Sequence, residues 1–119
     1  MHSLTLIDET VNEVTRELEI EFLSRMRNGE VGWLLSRYKN LNKLVVRELP
    51  NTNLQSVDID CSKIKELQFY DSHHLLRDYL IHKSINTLES LRISGGNFTL
   101  ESFLALKDFK IKELCITKP

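Results

Sequence analysis

The stretch NTLESLRI, residues 86–93, contains a short pattern that recurs along the chain. The pattern is an apolar residue, two polar residues, a leucine, any residue and a second apolar residue. Its other copies are NLNKLVV (40–46), KIKELQF (63–69) and KIKELCI (110–116). The central leucines are Leu44, Leu67, Leu91 and Leu114, so successive copies lie 23, 24 and 23 residues apart. The apolar positions on either side of each leucine keep the same spacing.

A period of this length with the pattern LxxLxL is typical of leucine-rich repeats. Alternate side chains of a strand point to opposite faces, so the leucine and the apolar residue two positions later share one core. Parallel strands need a crossover of about a dozen residues, usually helical, and the spacing leaves room for one short helix. We therefore predict an α/β fold: a short leucine-rich-repeat-like solenoid with parallel strands on one face and short helices on the other.

The 119 residues are enough for one domain. We predict a single domain over 1–119, with repeats near 41–63, 64–87, 88–110 and 111–119, and an irregular or capping part over 1–40. Two segments leave alternatives open. Residues 8–27 fit one helix, but VTRELEI (14–20) fits an additional repeat equally well. NLQSVDID (53–60) predicts an extra strand over 54–60, which either forms a tight turn without a helix or pairs at an edge.

Helices are predicted between the later strands. After Phe69, an apolar helical face is formed by Leu75, Leu76, Tyr79 and Leu80. Asp71 or Ser72 is the expected N-cap of this helix. A second helix is predicted from Thr99, after a turn at Gly95-Gly96. A short helix over EVGWLLSRY (30–38) and a first strand over 3–7 complete the expected elements.

Composition excludes several classes of function. The chain is 41% hydrophobic and 28% charged, with a net charge of −1, which argues against nucleic-acid or membrane binding because these normally require a basic patch. No apolar run reaches the ~20 residues of a membrane span. Cys61 and Cys115 fit no metal or redox spacing. Free thiols are expected in a reducing compartment, which predicts a cytoplasmic or nuclear protein.

No motif for catalysis, a cofactor or a metal ion is present. His73-His74 suggests metal binding, but adjacent helical residues point about 100° apart and rarely share one ion. Asp58 and Asp60 alternate on the predicted extra strand without any histidine or nucleophile tied to them. The segment around Gly95 lacks the spacing of a phosphate-binding loop. We predict no enzymatic activity, no cofactor and no metal.

The strand positions between core residues form the candidate site. In solenoids such side chains align across strands into one binding surface. The predicted partner-binding residues are Val45, Arg47, Asp58, Asp60, Gln68, Tyr70, Arg92 and Ser94. Tyrosine and arginine are the types that commonly dominate binding energy. The alternative is that these residues only keep the sheet soluble.

A longer stretch, TLESLRISGGNFTLESFLALKDFKIKELCI (87–116), resembles the F-box-associated domains of the large nematode F-box families. The residues 99–106 resemble the family's helix, with Phe103 where leucine is usual. VGWLLSRYKNLNKLVV (31–46) is similar to its tryptophan-leucine-leucine helix and following strand, and HSLTLID (2–8) to its opening strand. An F-box starts with Leu-Pro, whereas the only Leu-Pro here is Leu49-Pro50 in mid-chain. The resemblance therefore covers the associated domain without the F-box.

The resemblance implies a protein–protein interaction module. In this family the domain would recognise the substrate of an SCF-type ubiquitin ligase adaptor, so the expected partner is a protein that becomes ubiquitinated. The alternative is a truncated leucine-rich-repeat scaffold or remnant, with no dedicated ligand and no enzymatic activity.

Overall fold

The computed structural model describes residues 14–21, 35–49, 51, 59–96 and 110–117. They form an α/β structure with five strands and one fully described helix. In chain order the elements are β1 (Glu17–Glu21), β2 (Lys43–Arg47), β3 (Glu66–Tyr70), α1 (His74–Lys83), β4 (Ser90–Ser94) and β5 (Glu113–Thr117). Within these ranges, no helix has both the length and the apolar composition needed to cross a bilayer.

The five strands form one parallel sheet in which spatial order follows chain order. Two columns of apolar residues cross it in register. They are Leu18, Leu44, Leu67, Leu91, Leu114 and Ile20, Val46, Phe69, Ile93, Ile116. The register predicted from the spacing of 23 and 24 residues is confirmed. Because Glu17–Glu21 form a parallel strand in which Leu18 pairs with Leu44, the single-helix alternative for 8–27 is wrong over these five residues.

Each strand starts with the same hydrogen-bond arrangement. The backbone carbonyl just before one strand accepts two successive N–H groups at the start of the next strand. The four acceptors are Arg16, Asn42, Lys65 and Glu89, and the N···O distances are 2.7–3.1 Å. Two donors on one acceptor fix where each strand begins relative to its neighbour, so the leucines meet.

Three strands also end in the same way. The residue after β2, β3 and β4 has a positive φ: 56° at Glu48, 51° at Asp71 and 70° at Gly95. Each donates its N–H to the last carbonyl of the next strand, at 2.8–3.1 Å. Glycine adopts this left-handed conformation without the steric cost that Glu48 and Asp71 incur, and a Cβ at Gly95 would require the exposed Asp71 side chain to move.

The apolar columns and α1 form the core on one face of the sheet. Leu44, Leu67 and Phe69 are fully buried, and Leu76 and Leu80 of α1 belong to the same cluster. The predicted helix face is wrong at one residue, since Leu75 is 42% exposed. Tyr79, also predicted on that face, is only partly buried against the cluster.

The buried residues of α1 are Leu76, Arg77, Leu80 and Ile81, so the buried face is rotated by about one residue from the predicted face and leaves Leu75 towards solvent. Arg77 is completely buried, and its Nε donates to Asp78 Oδ1 at 2.9 Å. A buried guanidinium is tolerated only when it is paired. The hydroxyl of Ser84 donates a hydrogen bond to the carbonyl of Leu80 at 2.8 Å.

The N-cap of α1 is His73, whose Nδ1 accepts the N–H of Leu75 at 3.3 Å. The prediction of Asp71 or Ser72 is wrong because both residues have other roles. Asp71 makes the left-handed turn, and the Ser72 hydroxyl accepts from the N–H of Leu49 and donates to the carbonyl of Tyr70.

Several predicted elements lie outside the described residues. They are the first strand over 3–7, most of the helix over 30–38, residues 54–58 of the extra strand, and the helix from Thr99. Of the helix over 30–38, Leu35 and Ser36 are described and helical, and Leu35 and Tyr38 are buried in the core.

The leucine column gives a matched test of the core. Leu67 is fully buried in the central strand, whereas Leu114 occupies the same column at the sheet edge with 44% exposure. We expect Leu67→Ala to lower the free energy of unfolding by about 2–5 kcal/mol, and Leu114→Ala by roughly 1 kcal/mol or less. Urea denaturation of both variants measures this, and equal losses would contradict the register.

The cap at His73 should make stability depend on pH. Burial, with the charges of His74 and Arg77, lowers the pKa of His73 below its ordinary value of 6.5. The unfolded state therefore takes up the proton first, so the cap is fully stabilising above about pH 6.5 and is lost as pH falls through the folded-state pKa.

Asparagine accepts the same N–H without titrating. We expect His73→Asn to flatten the decline in unfolding free energy between about pH 7 and pH 5, measured by urea denaturation across that range. An unchanged slope in the variant would show that the cap does not titrate with folding.

Candidate interaction face

The sheet has a second face, opposite the core, which we call the open face. Its side chains form three rows that run across the strands from β1 to β5. The rows are Glu17, Lys43, Glu66, Ser90, Glu113; Glu19, Val45, Gln68, Arg92, Cys115; and Glu21, Arg47, Tyr70, Ser94, Thr117. The predicted residues Val45, Arg47, Gln68, Tyr70, Arg92 and Ser94 all lie here, on three adjacent strands.

Charge alternates from strand to strand across this face. β1 presents three glutamates, β2 a lysine and an arginine, β3 a glutamate, β4 an arginine and β5 a glutamate. Opposite charges on adjacent strands attract, and like charges directly opposite destabilise. The alternation therefore favours the observed strand order over other orders.

Arg47 is held between two neighbouring strands. Its Nε and Nη2 both lie 3.2 Å from Glu19 Oε1 on β1, and its guanidinium carbon lies 4.4 Å from the centre of the Tyr70 ring on β3. A guanidinium over an aromatic face gains cation–π attraction. Both partners restrict the side chain, so Arg47 is preorganised although it is 40% exposed.

The contacts continue around Val45. The Tyr70 hydroxyl donates to Gln68 Oε1 at 2.8 Å, and Gln68 Nε2 donates to Glu66 Oε2 at 2.5 Å. Glu66 then pairs with Lys43 Nζ at 3.5 Å. These polar side chains surround Val45, which lies on the open face as predicted but is only 6% exposed. A partner reaches Val45 only by displacing part of this network.

The β4 and β5 side of the face is different. Arg92 is exposed in the middle row, and its neighbours across the strands are Gln68 and Cys115. Ser90 and Ser94 flank it on β4, so no bulky side chain of that strand covers it. Both cysteines are free thiols, Cys61 buried and Cys115 half-buried. Arg92 is therefore the accessible cation of this half.

Of the two predicted aspartates, the described one, Asp60, does not lie on this face. Asp60 lies before β3, where Oδ1 accepts from the hydroxyl and the N–H of Ser62 at 2.6 and 3.0 Å. These bonds lower the pKa of the Asp60 carboxyl. Residues 59 and 60 are not in a strand, so the extra strand is wrong at its end. Asp58 lies outside the described residues.

Sequence reasoning missed three residues of the network: Glu19, Lys43 and Glu66. They line or adjoin a shallow depression of about 620 Å³, bounded by Thr15, Glu17, Leu18, Glu19, Lys43, Val45 and Gln68. The available signal for Lys43 and Glu66 was the change in sign of charge at the residue before the leucine, from Glu17 to Lys43 to Glu66. Within the described ranges, no three His, Cys, Asp or Glu side chains converge as metal ligands would.

The network around Arg47 should add little to stability. Arg47 and Glu19 are 40% and 41% exposed, so their ion pair is screened by water. We expect Arg47→Ala to cost less than about 1 kcal/mol of unfolding free energy, in contrast to the loss at Leu67. Urea denaturation at low and at moderate salt measures this, and a loss as large as that of Leu67→Ala would contradict it.

In comparisons with known proteins, no family model, no curated protein and no solved structure matches the chain. The geometry and chemistry of the open face are therefore the basis on which a function is assigned. On that face Arg47 of β2 and Tyr70 of β3 are preorganised by their mutual contact, and Arg92 of β4 is exposed.

Proposed function

We propose that the chain is a protein–protein interaction module, built as a short leucine-rich-repeat-like solenoid, which binds its partner on the open face. The solenoid is supported by three features with one period. They are the leucine column, the carbonyl that accepts two N–H groups before each strand, and the left-handed residue after β2, β3 and β4.

The observation that carries the binding proposal is the placement of Arg47, Tyr70 and Arg92. Tyrosine and arginine supply large contact areas and dominate many interfaces. Arg47 and Tyr70 are already fixed by each other and by Glu19, so binding costs little additional side-chain entropy. Arg92 adds an exposed cation on the next strand but one from Arg47.

The partner that fits is a protein surface with carboxylates. A flat sheet face of mixed charge suits an extended protein surface better than a small molecule, which binds in an enclosed cavity. A carboxylate can pair with the guanidinium of Arg92 in bidentate geometry, while an apolar group can pack on Tyr70.

The resemblance to F-box-associated domains extends the proposal. On that basis the module is the substrate-recognition part of an SCF-type ubiquitin ligase adaptor in the cytoplasm or nucleus, and its partner is a ubiquitination substrate. The matching stretch, 87–116, includes β4 and all of β5 except Thr117. An F-box encoded in frame upstream would support this part of the proposal.

A second candidate function is a scaffold without a dedicated ligand. The observation that favours it is the network around Val45, in which polar side chains of the open face satisfy one another. Under this alternative Arg47, Tyr70 and Arg92 serve solubility and register alone, and replacing them changes no interaction.

The two functions differ in a proximity-labelling experiment with the triple variant Arg47→Ala/Tyr70→Ala/Arg92→Ala. If the open face binds a partner, proteins enriched by the wild type should fall at least about tenfold with the variant, as expected for the loss of interface hot spots. The strongest candidate is then purified and its binding to both proteins is measured by calorimetry.

The matched control is Leu75→Ala/Ile85→Ala/Asn86→Ala, which alters exposed residues of α1 and the following turn. This control should label the same proteins as the wild type. Identical lists for the wild type and the open-face variant would reject the open face as the binding surface and favour the scaffold.

A further inference from the structure

In the described part of the chain, the outer edge of β5 repeats a backbone arrangement that the earlier strands use for pairing. In β4, residues whose side chains face outward make their backbone hydrogen bonds on the side of β3; the N–H of Ser90, for example, donates to the carbonyl of Lys65. The carbonyl of Glu89, just before β4, accepts the N–H groups of Lys112 and Glu113 on the other side, and in a parallel ladder the backbone groups of the core-facing Leu91 and Ile93 point to that same side.

In β5 the same rule assigns the backbone groups of Glu113, Cys115 and Thr117 to β4. The groups of Leu114 and Ile116 then point away from the sheet. The carbonyl of Lys112 occupies the position at which Asn42, Lys65 and Glu89 each accept two N–H groups. No described residue pairs with this edge, so the acceptor and donor pattern for one more parallel strand is complete.

The side chains at this edge are apolar on the core face. Leu114 is 44% exposed, in contrast to the 0% and 1% of Leu67 and Leu91 in the same column. Ile116 is partly buried and packs against the core cluster. A strand with apolar residues beside Leu114 and Ile116 would extend both columns and remove this apolar area from water.

Charge indicates which residue of the incoming strand should lie beside Glu113. In the row that contains Glu113, the lysine of β2 pairs with the glutamate of β3, since Lys43 Nζ lies 3.5 Å from Glu66 Oε2. A lysine or arginine beside Glu113 would form the equivalent pair. A glutamate in that position would face a like charge directly across the strands.

We propose that the β5 edge binds an extended segment of a partner protein, added as a sixth parallel strand, with the pattern basic–apolar–any–apolar. Addition of a strand to an exposed sheet edge is a known mode of peptide recognition, in which backbone bonds give affinity and alternate side chains give specificity. This site uses Glu113 at the end of the first open-face row and does not depend on Arg47, Tyr70 or Arg92.

A second copy of the chain is a poor occupant of this edge. Head-to-tail addition in the register of the described sheet would place β1 beside β5, and Glu17 would then face Glu113. The remaining outward residues of β1, Glu19 and Glu21, supply no cation. The like-charge pair of Glu17 and Glu113 thus disfavours a second copy at this edge.

The test uses a fluorescent synthetic peptide with the sequence of residues 40–48, NLNKLVVRE, which contains the required pattern at Lys43, Leu44 and Val46. A second peptide has glutamate in place of that lysine. Anisotropy titrations with the folded 119-residue chain should show saturable binding, about fivefold tighter for the lysine peptide, as one cross-strand charge pair implies.

Two variants locate the binding site. Glu113→Lys alters an exposed residue and should reverse the preference between the two peptides. Leu114→Pro removes an outward N–H that has no bond to β4 and should abolish binding of both peptides, with circular dichroism used to verify its fold. The open-face variant Arg47→Ala/Tyr70→Ala/Arg92→Ala should bind the lysine peptide as the wild type does.

The proposal is overturned if the lysine peptide does not bind saturably, or if Glu113→Lys leaves the preference unchanged. It is also overturned if sedimentation shows a wild-type oligomer that Leu114→Pro converts to monomers, since a second copy would then occupy the edge. These peptide measurements do not change if the open-face variant labels the same proteins as the wild type. The two proposals can therefore be rejected independently.

Discussion

The position at which each strand starts against its neighbour is the constraint on which this structure depends. One carbonyl before a strand receives two consecutive N–H groups of the next strand, at Arg16, Asn42, Lys65 and Glu89. A shift of one residue would move every leucine to the opposite face of the sheet. The carbonyl therefore determines which side chains enter the core and which remain on the open face.

Much of the sheet was predictable because these constraints leave a signal in the sequence. A leucine that must meet its predecessor recurs at 23 or 24 residues, and this spacing predicted four strands and their register correctly. The segment of β1 remained ambiguous since its apolar residues fit both periods, and only pairing of Leu18 with Leu44 decides between them. The cap at His73 was missed because three consecutive residues were chemically able to provide it.

The sequence predicted which side chains lie on the open face, but not the contacts that they make with one another. Alternation placed Arg47, Gln68, Tyr70, Arg92 and Ser94 on one face correctly. It gave no information on contacts between strands, which depend on side-chain conformation across the sheet. For this reason the cover over Val45 and the pairing of Arg47 with Glu19 emerged only from the structure. Asp60 was misplaced because a local bond to Ser62 competes with strand formation.

Within the described sheet, each strand pairs with its immediate neighbours in the sequence, because chain order and spatial order coincide. Such a linear arrangement need not unfold as a whole. In the described sheet β1 and β5 each pair with one strand, whereas β3 lies in the middle with two strands on each side. Local unfolding should therefore begin at β1 and β5 and reach β3 last. Amide hydrogens of Leu67 and Phe69 would then exchange with solvent most slowly, with protection decreasing outward in both directions.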